Sequence, residues 1–71
     1  MRIHDKGDYA YDFEQVVDPR TQLRKGWMYR VFHLRPTEQV LQTGDAQSRE
    51  QAEKEARRII GRLVQREKRA A

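Results

Sequence analysis

The residues of this chain that could do chemistry are a single serine, two histidines, a pair of neighbouring carboxylates and a large set of arginines. Ser48 has no nucleophile's partner near it in sequence. It stands three residues before Gln51 at the head of a helical apolar repeat, where a serine caps a helix. His4 and His33 lack a second histidine at metal-ligand spacing. His4-Asp5 with Asp8 offers no more than a loose cation contact. Asp12 and Glu14 fall on one face of a strand, as an acid/base pair would. No pocket-forming sequence surrounds them, and a surface pairing with Arg30 is the expected use. The glycines are isolated, so no phosphate loop is present, and there is no cysteine. These absences point away from an enzyme, a cofactor, a metal site or a small-molecule substrate.

The arginines carry the positive reading. Arg20, Arg24 and Lys25 decorate a long connection, and Arg30 and Arg35 lie on or beside a strand. Trp27 and Tyr29 are interleaved with them. Arg58, Arg62 and Arg66 recur every four residues along a helix. Arginine can bind phosphates and base edges, and aromatics can stack on bases. The net charge of +4 is unevenly spread. Residues 1–56 hold nine Lys/Arg against ten Asp/Glu, while residues 57–71 hold six against one. The basic end therefore suits an anionic partner, and it also complements the dipole of its own helix. Asp8, Asp12, Glu14 and Asp18 crowd the first long strand, and their field opposes phosphate there.

These side chains need elements to position them. With 71 residues the chain makes one small domain with a thin core. Residues 1–8 read as a flexible arm. Residues 9–17 alternate, with Tyr9, Tyr11 and Phe13 on one side, as a half-buried strand does. Asp18-Pro19 ends it. Residues 18–26 form the basic connection, and residues 27–34, rich in aromatic and β-branched types, make the second strand. Arg35-Pro36-Thr37-Glu38 reads as a tight turn, and residues 39–43 as a third strand. Ser48 then starts a helix with Ala52, Ala56, Ile59, Ile60, Leu63 and Val64 on its apolar face. Gly61 costs about 1 kcal/mol against alanine, and the segment beyond it could kink or fray. Residues 66–71 are the expected frayed basic tail. The helix outlasts the strands, so its basic end should overhang the sheet. The fold expected is α+β: a three-stranded antiparallel sheet with one long C-terminal helix packed on one face.

A two-residue turn at Pro36-Thr37 would set Phe32 opposite Leu41 and His33 opposite Val40. Met28, Arg30, Phe32, Leu34 and Leu41 would then share one face. Trp27, Tyr29, Val31, His33 and Val40 would share the other. Both faces are apolar and one helix covers one of them. The spare face would serve as an interaction surface, with Tyr29, Phe32 and Leu34 as candidate protein-binding residues, or be covered by the N-terminal arm or the 18–26 loop. A homodimer through that face is compatible with this pattern.

Residues 26–60 resemble the last two strands and the helix of the AP2-like DNA-binding fold, which also forms the arm-binding domain of phage tyrosine integrases. The stretch that carries the resemblance is Trp27-Met28-Tyr29-Arg30-Val31, a turn, Val40-Leu41-Gln42-Thr43-Gly44, and the capped helix from Ser48 to Ala56. The resemblance implies a sheet face that enters the DNA major groove, with Arg30, Arg35 and Trp27 in contact. The function expected is non-catalytic binding of nucleic acid through Arg20, Arg24, Lys25, Trp27, Arg30, Arg35, Arg58, Arg62 and Arg66. The alternative is a protein-binding regulator or inhibitor of the kind encoded by phages and mobile elements, including anti-CRISPR-like proteins. No apolar run is long enough to span a bilayer, and a cytoplasmic location is the simplest expectation.

Overall fold

The computed structural model describes residues 2–70, with strands β1 (Ile3–His4), β2 (Tyr9–Val17), β3 (Arg24–His33) and β4 (Gln39–Ala46), then helix α1 (Arg49–Ala70). The strands form one antiparallel meander in the order β1-β2-β3-β4. The sheet therefore has four strands rather than the expected three. The extra one lies within the supposed arm, where Ile3 pairs with Tyr11 and His4 with Ala10. A tight turn allows this, because Asp5 N–H donates to the Tyr9 carbonyl and Tyr9 N–H to that of Lys6. The expected frayed tail is helical through Ala70. Met1 and Ala71, at the outer ends of those two segments, lie outside the described residues.

Alternation along β2 and β3 decides which side the helix covers. Tyr9, Tyr11, Tyr29 and Val31 pack with Ala52, Ala56, Ile59 and Ile60 to form the core. Ala52 and Ala56 are fully buried, since a methyl group lets the helix axis approach the sheet closely. Phe13, Trp27, Leu63 and Val64 extend this cluster at its margins. The Tyr29 ring lies across β4 at Gly44, where any β-carbon would collide with it.

The start of α1 follows its cap. Gln51 N–H donates to Ser48 Oγ at 3.1 Å, and the Gln51 side chain accepts from Gln47 N–H at 3.0 Å. The helix continues through Gly61 without interruption. Arg49 sits over the Phe13 ring at the start of the helix, and Glu67 reaches Tyr9 near its end. The helix thus runs antiparallel to β2.

The β3–β4 register departs from expectation at one point. Arg30 faces Thr43 and Val31 faces Gln42, as a two-residue turn would give. Beyond an irregularity there, Phe32 faces Val40 and His33 faces Gln39. Leu41 is the bulged residue. It moves Val40 beside Phe32 and lengthens the connection to residues 34–38, which contains a cis Arg35–Pro36 peptide.

Candidate nucleic-acid interface

The candidate residues fall into separate places. Arg20, Arg24 and Lys25 belong to the β2–β3 hairpin end. Asp18 organises that loop, accepting from Arg20 N–H at 2.8 Å and lying 3.4 Å from Lys25 Nζ. Strand β2 separates this loop from Tyr9, where α1 ends, by about 27 Å. The basic loop and the basic helix end are therefore at opposite ends of a molecule 49 Å long.

Arg30 occupies the sheet face that the helix leaves open. Its Nε and Nη2 donate to the two Asp12 carboxylate oxygens at 2.9 Å each, and Glu14 approaches at 3.5 Å. This two-pronged pairing raises the guanidinium pKa above its ordinary value, with the hydrogen bond to Asp12 as the main cause. Asp12 is buried, so its charge depends on Arg30 for compensation. Phe32 is buried on the same face, with the Arg2 guanidinium 4.7 Å from its ring centroid and that of Arg30 at 6.0 Å. Arg2 also pairs with Glu38. The open face is thus capped by its own paired charges. Arg35, in the loop after β3, is well exposed and lies 3.6 Å from Asp8.

Trp27 is on the helix-covered side, partly buried and edge-on to Phe13. Tyr29 is buried under the helix. Neither ring faces the open side with Arg30. Of the three residues proposed for protein contact, only Leu34 is not buried. His33 packs against Tyr9 with ring centroids 5.1 Å apart.

The outer surface of α1 is different. Arg58, Arg62 and Arg66 line one groove between the helix and β4, together with Glu55, Tyr29, Ile59, Leu63 and Gln42. Arg62 and Arg66 continue with Gln65 into a second concavity that includes Arg69. Arg58 is bonded to Glu55 at 2.7 Å. Among the described residues, Arg62, Arg66 and Arg69 have no carboxylate within ion-pair distance. Glu67, the sole acid of the last fifteen residues, accepts a 2.5 Å hydrogen bond from the Tyr9 hydroxyl. That bond pushes the Tyr9 pKa up to about 12. Burial, with a 3.0 Å bond to Glu53, raises that of Tyr11. The helix dipole favours cations at this end, which helps hold so dense a set of arginines in place.

The sequence reading singled out Arg58, Arg62 and Arg66 and passed over Arg69. The signal for it was available, since Arg69 follows Arg66 by three residues and so shares its side of the helix. Among the described residues no cluster of three His, Asp or Glu side chains could hold a metal ion, and no helix is long and apolar enough to cross a membrane. The chain matches no family model, no curated protein and no solved structure.

Proposed function

We propose that this protein is a non-catalytic nucleic-acid-binding module that grips the phosphate backbone with the arginine ridge of α1. The observation that carries the reading is the set Arg62, Arg66 and Arg69, which line one concavity of the helix surface and have no carboxylate partner among the described residues. Successive arginines four residues apart are about 6 Å apart along the axis. Arg58 would join on release from Glu55. The contacts are to phosphate, so they position the protein without reading bases. Binding through the open sheet face, as the AP2-like resemblance implied, has weaker support, because Asp12 and Glu14 already occupy Arg30.

The test is fluorescence anisotropy with labelled duplex and single-stranded DNA and RNA across a salt series. Three or four released counterions predict a log–log salt slope of about −3. Absence of binding at low salt overturns the reading.

One observation favours a second, protein-binding reading. Strand β4 is an outer strand, residues 39–43 are all exposed, and Val40 and Leu41 are 54% and 44% accessible. An unpaired edge of this kind can accept a strand from a partner. A regulator acting in this way would depend on Val40 and Leu41 rather than on Tyr29 and Phe32.

A further inference from the structure

Gly61 lies in the interior of α1, where glycine is the costliest residue other than proline. Interior glycines are usually explained by close packing or by a left-handed backbone. Neither explanation applies here. A β-carbon at Gly61 would meet no atom within 4 Å, and its backbone is that of the surrounding helix. The glycine faces outward into a concavity lined by Arg58, Arg62, Gln65 and Lys68 of the helix and by Lys6 of the β1–β2 turn. Four cationic side chains therefore surround a gap that the missing side chain leaves open, and Val64 forms part of its apolar lining. Among the described residues only Arg58 of these four cations has a carboxylate within ion-pair distance.

We propose that Gly61 opens a notch in the arginine ridge that seats one phosphodiester group of a bound nucleic acid, with Arg58, Arg62, Lys68 and Lys6 as its donors. This rests on the nucleic-acid reading above and sharpens it to a site. Removing the side chain lets a phosphate approach the helix backbone, a common reason for glycine at a ligand contact. The four cations come from two elements, so the notch forms only in the folded chain. Gln65 adds an amide donor without adding charge. The ridge then holds the strand in one place along α1 instead of letting it slide over an even row of arginines.

The experiment compares the full chain with Gly61→Ala and Gly61→Gln. Each is melted by circular dichroism and titrated at low salt into labelled DNA and RNA duplexes of one mixed sequence. Both substitutions improve helix propensity, so the melting temperature should rise. Duplex affinity should nevertheless fall, on the order of tenfold for one lost charge-assisted contact, and further for the longer glutamine. A stabilised variant that binds as tightly as the parent overturns the notch and leaves the ridge standing. A lowered melting temperature also overturns it, because the glycine would then serve packing. A parent chain that binds neither these duplexes nor the single strands of the salt series overturns notch and ridge together.

Discussion

The open face of the sheet and the outer face of α1 both carry arginines, and they treat them in opposite ways. On the sheet, Arg30 is clamped by Asp12 and approached by Glu14, and Arg2 is held by Glu38 over the Phe32 ring. On the helix, Arg62, Arg66 and Arg69 line open grooves, and the nearby acid Glu67 is turned onto Tyr9. A guanidinium that already holds a carboxylate in a forked pair has little to gain from a phosphate. The difference teaches that counting arginines says less than asking which of them have been answered from within the fold.

Substitutions can break that comparison at either end. The largest effect is expected from Arg62→Ala with Arg66→Ala. Duplex affinity should drop on the order of a hundredfold at low salt, and the salt slope should shrink by about two, as anisotropy across a salt series would show. Next comes the reverse manoeuvre on the sheet. Asp12→Asn with Glu14→Gln releases Arg30 and removes two negative charges on the face away from α1, so affinity should rise by only about two- to threefold at low salt. A rise of about tenfold or more would mean that the open face itself contacts the nucleic acid. Arg30→Ala should alter affinity by less than about twofold, within the range of a distant surface charge. It should lower the melting temperature, because Asp12 is left buried without its partner.

The smallest effect concerns the bond between Tyr9 and Glu67. In the folded chain the Tyr9 hydroxyl keeps its proton up to about pH 12, whereas an unperturbed tyrosine loses it near 10.0. Above pH 10 the unfolded chain therefore binds fewer protons than the folded one, and stability falls as pH rises from 10 to about 12. Tyr11 moves in the same direction. Replacing Tyr9 with phenylalanine should flatten part of that alkaline decline in a series of thermal melts. The same substitution frees Glu67, so it should also weaken duplex binding slightly at neutral pH.

Much of the architecture could be read along the chain. Tyr9, Tyr11 and Phe13 alternate along one side of a strand, although Ala10 and Asp12 on its other side are buried as well, and Ser48 with Gln51 marks the helix start to the residue. Strand β1 escaped notice because Ile3-His4 is too short to show a period, and it exists only where the edge of β2 offers it partners. The bulge at Leu41 was equally invisible, since Val40 and Leu41 are both apolar and either could have faced Phe32. Gly61 reads along the chain as a cost or a kink, and only the structure shows that it opens onto a concavity lined by cations.

The candidate site was legible in part. The four-residue spacing of Arg58, Arg62 and Arg66 placed them on one side of a helix before any coordinates, because the period of an α-helix is a local property. Among the described residues Arg62 and Arg66 have no carboxylate partner while Arg58 holds Glu55, and that difference was not legible from spacing. It depended on where the fold sets the acids: Glu67 lies off the arginine side of the helix and bonds Tyr9, fifty-eight positions earlier, whereas Arg30 is held by an aspartate on the neighbouring strand. The same holds for the separation of the basic loop from the basic helix end, which share a charge but lie at opposite ends of β2. Local periodicity and capping thus determined the elements and which residues share a face. Pairing between elements distant in sequence decided which charges remain available, because an ion pair is made by position in space and not by order along the chain.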